Sequence, residues 1–267
     1  MRTFTRSLAG LAMALAVVGS ACSSSSKSSS SSSATTAGSS KPTGSITVSA
    51  AASLNKAFAQ IGKNFEAANP GTSVKFNFDS SATLVTQIEG GAPADVFASA
   101  DQANMNKLTT KDKIAGTPTV FAKNKLQIGT KPGNPKHITG LSSLPKVAVV
   151  ALCAETAPCG KYAAQALQAA HVTIPTSHIT RGQNATATIG MVSQGDANAA
   201  IVYVTDVKGA GSKVGAVDIP DNQNEIATYP IGVLKSSSNS VTAQAFATYV
   251  SSPAGESVLQ QYGFLAP

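Results

Sequence analysis

Hydroxyls and unpaired backbone N–H groups recur where apolar runs of this chain turn helical, and together they can do one kind of chemistry: donate hydrogen bonds to an anion. In "ITVSAAASLNKAF", Ser53 stands where a β-like segment becomes a helical one. It reads either as an N-cap or as a hydroxyl beside free helix N–H groups. In "FDSSATLVTQIEGG", Ser80 and Ser81 head the next helical stretch. "APCGKYAAQAL" opens a third with Pro158, which has no N–H to lose in a first turn and leaves those of Cys159 and Gly160 pointing outward. "RGQNATATIGMV" opens a fourth after Gly182, exposing N–H groups near Ala185, and Tyr203 closes the apolar run of "AAIVYVTD" with a phenol. Taken singly, Ser53 and Ser81 are more often N-caps, Pro158-Cys159 is loop geometry and Tyr203 a packed aromatic. Taken together, they describe an uncharged, donor-rich pocket for an oxyanion.

Other chemistries fit less well. His137, His171 and His178 could serve a secreted serine hydrolase, but the chain carries no G-x-S-x-G elbow. No His/Cys cluster has metal-ligand spacing. The formal charge of +7 includes Arg2 and Arg6 of a removable leader; without them 18 basic residues face 13 acidic ones. These are scattered, with no basic run or aromatic interleaving to mark a nucleic-acid surface.

The elements that must position the donors follow from the rest of the chain. Residues 1–21 combine Arg2 and Arg6, the apolar "LAGLAMALAVV" and small residues before Cys22, which is a signal peptide too short to span a bilayer. Cysteine directly after the small residues fits a lipoprotein signal, so Cys22 is expected to carry lipid. Residues 22–44 are a Ser-rich tether with too little apolar surface to fold. An exported chain with one remaining close pair, Cys153 and Cys159, is expected to join them as a disulfide. From Ser45 onward strand-like and helix-like segments alternate in βαβ rhythm: an α/β fold with a mostly parallel sheet covered on both faces. Ligands of such sheets sit beyond the carboxyl ends of the strands, where these turns lie.

The motifs "AAASL", "SSATLVTQIEGGAPADVFASAD", "PCGKYA" and "IVYVTD", with a closing "YGF", resemble the periplasmic molybdate-binding proteins of ABC uptake systems, from about Ile46 to Phe264. The resemblance implies a two-lobe, type II-like periplasmic-binding-protein fold, each lobe a mostly parallel sheet flanked by helices, joined by two crossovers near Asn124 and Tyr229. One lobe is then 45–123 plus 229–267, the other 124–228. It further implies molybdate or tungstate held by Ser53, Ser81, Cys159, Ala185 and Tyr203. Cys159 and Ala185 would act through backbone N–H groups, and Ser80 is the alternative to Ser81. The implied protein is no enzyme and needs no cofactor and no metal beyond the oxyanion. It is a monomer tethered by lipid to the outer face of the cytoplasmic membrane, serving an ABC permease. A sulfate binder and a non-transport surface lipoprotein are the alternatives.

Overall fold

The computed structural model describes residues 41–267. The signal peptide, Cys22 and nearly all of the tether lie outside the described residues. The fold takes hold slightly before Ser45. Thr43 N–H donates to Thr242 Oγ1 at 3.0 Å, and Gly44 N–H to the Gly71 carbonyl at 2.8 Å.

The strands are β1 (Gly44–Ala51), β2 (Thr72–Asp79), β3 (Val96–Ala98), β4 (Ile114–Thr130), β5 (Val150–Cys153), β6 (Ile179–Gly182), β7 (Ala199–Tyr203), β8 (Gly215–Asp218) and β9 (Ile226–Leu234). Between and after them run α1 (Asn55–Ala68), α2 (Ser81–Glu89), α3 (Gln102–Thr110), α4 (Pro158–Ala169), α5 (Ala185–Gln194), α6 (Val204–Ala210), α7 (Ser240–Val250) and α8 (Pro253–Gln261). The sheet order is β2-β1-β3-β9-β4-β7-β5-β6, with β8 beside β4. The β1–β2, β1–β3, β5–β6 and β5–β7 pairs are parallel, whereas every pairing of β4 and β9 is antiparallel. The βαβ rhythm thus gives two parallel groups, and β4 and β9 splice them.

β4 makes the splice by changing partners along its length. Ile114–Lys125 runs against β9, and Leu126–Thr130 against β7. The sequence shows only its second part, from Asn124, as a strand. Gly116 and Pro118 obscure the first part, and breaks in register at Ala115/Thr119 and Val120/Ala122 absorb the irregularity. β6 and β8 also escape the pattern, being four residues each and half exposed.

Helices cover both faces because their apolar stripes match the sheet. α1 buries Ala57, Phe58, Ile61 and Phe65 on one side. Phe58 meets Phe121 and Phe246 with ring centroids 5.7 and 6.0 Å away. Each such ring contributes roughly 1.5–3 kcal/mol by leaving water. Two glycines then bring helix starts close to strand ends. A Cβ on Gly160 would stand 2.1 Å from the Ala154 carbonyl oxygen, and one on Gly182 only 2.7 Å from Thr188 N. A disulfide joins Cys153 at the end of β5 to Cys159 in the first turn of α4.

Candidate functional site

The ends of β1, β2 and β7 and the starts of α2, α4 and α5 meet at one small cavity. Ser53, Ser81, Cys159, Ala185 and Tyr203 all line it. Its volume is about 10 Å³, about what one water-sized sphere requires. A far larger groove of about 770 Å³ lies along α4, β5 and β6, but it gathers no convergent hydroxyls. The small cavity is distinguished by chemistry rather than size.

Ser53 is not an N-cap. It lies within a 3-10 turn, Ala52–Leu54, that precedes α1 and has no side-chain cap. Its Oγ lies 2.8 Å from the Tyr229 hydroxyl. At α2 the cap is Ser80, whose Oγ accepts from Thr83 N–H at 3.1 Å and lies 2.8 Å from Thr83 Oγ1. Ser81 is the first helical residue. Its fully buried Oγ accepts from Ala100 N–H at 2.9 Å, which leaves its own proton free to donate.

Cys159 is the second residue of α4 and Ala185 the first of α5. The acceptors at these starts serve later N–H groups: Gly160 and Lys161 bond the Ala157 carbonyl, while Ala187 and Thr188 bond Asn184. The N–H groups of Cys159 and Ala185 therefore remain among the orphan donors of a helix start. Three α-helix N-termini, those of α2, α4 and α5, meet at the cavity, and each presents roughly half a positive charge.

Tyr203 ends β7 with its side chain 1 % exposed. Its hydroxyl is buried without a hydrogen-bond partner. An unpaired buried donor costs about 1–3 kcal/mol. Burial pushes the phenol well above its usual range, and the neighbouring Tyr229, Tyr162, Asp101 and Asp206 push the same way, so it stays a donor. Asp206 accepts from Tyr203 N–H at 3.2 Å. Among the described residues no lysine or arginine lines the cavity, and Asp79 is its one acidic side chain. Asp79 Oδ1 accepts from Ser80 N–H at 2.6 Å and from Asn184 Nδ2 at 3.0 Å. The second of these bonds joins the end of β2 to the start of α5, and a 3.2 Å bond from Thr186 Oγ1 to the Ala52 carbonyl joins α5 to the 3-10 turn.

Sequence reasoning missed Asn184 and named Asn124 and Tyr229 only as crossover positions, not as neighbours of Ser53. "QNAT" before a helix could have marked Asn184 as an N-cap. Tyr229 reaches Ser53 across 176 positions and leaves no local signal.

Residues 46–265 match the family described as bacterial extracellular solute-binding protein. The chain belongs to that family. A curated relative, the molybdate-binding protein ModA of Mycobacterium tuberculosis, is 38% identical over 232 residues, covering 86% of this chain and 88% of its own. The solved periplasmic molybdate-binding protein of Azotobacter vinelandii superposes with a TM-score of 0.76 at 21% identity, over 83% of this chain and 99% of that one. The sulfate-binding protein SubI of M. tuberculosis superposes with a TM-score of 0.73 at 20% identity, over 82% and 86%. These two likenesses show the fold: a sheet flanked by helices as in periplasmic binding proteins. The two neighbours are named for different anions, molybdate and sulfate.

Proposed function

We propose that the chain captures molybdate, with tungstate as a second ligand, outside the cytoplasmic membrane and delivers it to an ABC permease. The observation that carries this reading is the buried, partnerless Tyr203 hydroxyl facing a cavity ringed by helix starts. Ser53 and Ser81 supply hydroxyls, Cys159 and Ala185 backbone N–H groups, and Tyr203 a phenol. A fully deprotonated tetrahedral dianion only accepts hydrogen bonds, and this wall donates them. Hydrogen phosphate also needs an acceptor. Here Ser81 Oγ already accepts from Ala100 N–H and Asp79 Oδ1 from two donors. Among the described residues that leaves Asp79 Oδ2 as the one carboxylate oxygen of the wall that a protonated anion could use, and the phosphate arm of the test below reads it directly. The 38% relative named for molybdate supports that anion over sulfate.

Capture breaks no bond and uses no cofactor. The lobes are 45–123 plus 229–267 and 124–228, moving about the stretch where β4 changes partners. An anion held by Ser53 and Ser81 on one side and Cys159, Ala185 and Tyr203 on the other makes most contacts when the lobes are closed, which favours closure. Lipid on Cys22 would hold the receptor as a monomer at the membrane. Among the described residues no helix is long and apolar enough to cross a membrane.

Thermal unfolding of the chain with molybdate, tungstate, sulfate and phosphate tests the reading. At a hundredfold excess over the dissociation constant a ligand adds about 2.7 kcal/mol. Molybdate and tungstate should stabilise at concentrations where sulfate and phosphate do not. Stronger stabilisation by sulfate would overturn the choice of anion, and no response to any of the four would overturn oxyanion capture.

A further inference from the structure

Tyr229 does not line the cavity, yet it touches the Ser53 hydroxyl that does. The tyrosine is fully buried on β9, with its ring edge-on to Tyr203 at 5.9 Å, Phe264 at 5.3 Å and Phe121 at 6.3 Å. Packed on three sides, the ring holds its hydroxyl in place. The other neighbour of that hydroxyl is Asn124 Nδ2, at 3.4 Å.

Asn124 sits beside the point where β4 changes partners, and its amide has one possible orientation. Its Oδ1 accepts from Lys125 N–H at 3.0 Å, a group that can only donate. The NH₂ end must therefore face Tyr229 and Thr205 Oγ1, the latter at 2.9 Å. An amide NH₂ also only donates, so the Tyr229 oxygen accepts from Asn124. Its own proton is then directed to the remaining neighbour, Ser53 Oγ. With one lone pair of Ser53 filled in this way, the serine proton is free to turn into the cavity that Ser53 lines.

We infer that Tyr229 is a positioning residue for anion capture, biasing Ser53 toward donating through a one-way chain of hydrogen bonds anchored at the Lys125 backbone. This rests on the reading of Ser53 as an anion ligand. The chain has a functional consequence that packing alone would not have. A hydroxyl that already accepts from Tyr229 has its proton biased toward the cavity, so it gives up less rotor freedom on meeting the anion.

The test is a double-mutant cycle on molybdate affinity, measured by calorimetry for the parent, Tyr229→Phe, Ser53→Ala and the double variant. Ser53→Ala should weaken binding about tenfold or more. Tyr229→Phe should weaken it about fivefold in the parent and not at all in the Ser53→Ala background. A purely structural tyrosine would cost the same in both backgrounds, and that additivity would overturn the inference. So would parent-like binding by Tyr229→Phe. Parent-like binding by Ser53→Ala would instead overturn the site itself. If Tyr229→Phe does not fold, Asn124→Ala in the same cycle reads the same chain: its loss must disappear with Ser53.

Discussion

Ser80 and Ser81 are adjacent in sequence and identical in type, so only their places in the helix separate them. Ser80 spends its hydroxyl on Thr83 as the α2 cap. Both serines line the cavity, but Ser81, one residue on, accepts from Ala100 N–H and keeps its proton free. Ser80→Ala should therefore lower stability by about 1 kcal/mol in urea titrations and leave molybdate affinity near that of the parent. Ser81→Ala should cost about 1.5–3 kcal/mol of affinity in calorimetry. Tyr203→Phe separates binding from folding more sharply. Its hydroxyl has no partner, so removing it should hold or raise the melting temperature of the ligand-free protein while weakening anion binding by a similar 1.5–3 kcal/mol. Tyr203 was legible in the sequence because a phenol interrupts the apolar "AAIVY". The choice between the two serines was not, since helix phase at a cap is decided by backbone geometry.

At the scale of elements, the helix starts carry the site, and their placement depends on residues that never reach it. Gly182 admits α5 against the end of β6. A methyl group there meets Thr188 Oγ1 at 2.5 Å and Thr188 N at 2.7 Å. Gly182→Ala should force that turn outward, costing about 1–3 kcal/mol in stability and weakening capture through the displaced Ala185 N–H. Denaturant midpoints and calorimetric affinity on the same variant would check both. Pro158 at the head of α4 announced one helix start in sequence. The 3-10 turn at Ser53 was hidden, because "SLNKAF" continues its helical spacing straight back through the turn. β4 was half legible for a related reason: Gly116 and Pro118 read as a break, whereas tertiary pairing with β9 carries the strand through them by shifts in register.

At the scale of the whole molecule, one buried acid ties the stability of the fold to pH. Burial pushes the Asp206 carboxyl up from 3.8 to about 7, against the lowering effect of backbone N–H donors from Tyr203 and Asp206 itself. Between those limits the folded chain keeps a proton that the unfolded chain has released, so this group's contribution falls as pH rises through about 7. Urea unfolding should show greater stability at pH 5.5 than at 7.5, and Asp206→Asn should flatten that difference. The alternating segments made the α/β class readable from the sequence, but a lone acid in "YVTDVK" gave no sign of how deeply α6 buries it.

The Cys153–Cys159 bond ties the start of α4 to β5 within a stretch of seven residues, a constraint of about 2 kcal/mol by loop closure. Cys159 is also the residue whose N–H faces the cavity. On the proposed reading of Cys159 as a backbone donor, oxidation state and capture strength should be linked at that residue. Under thiol reductant, the chain should hold molybdate more weakly while keeping every hydroxyl donor, and comparing affinities before and after reduction measures the difference. If that loss is seen, full grip would come only outside the reducing cytoplasm, and nascent copies would not hoard the cell's own supply of the anion.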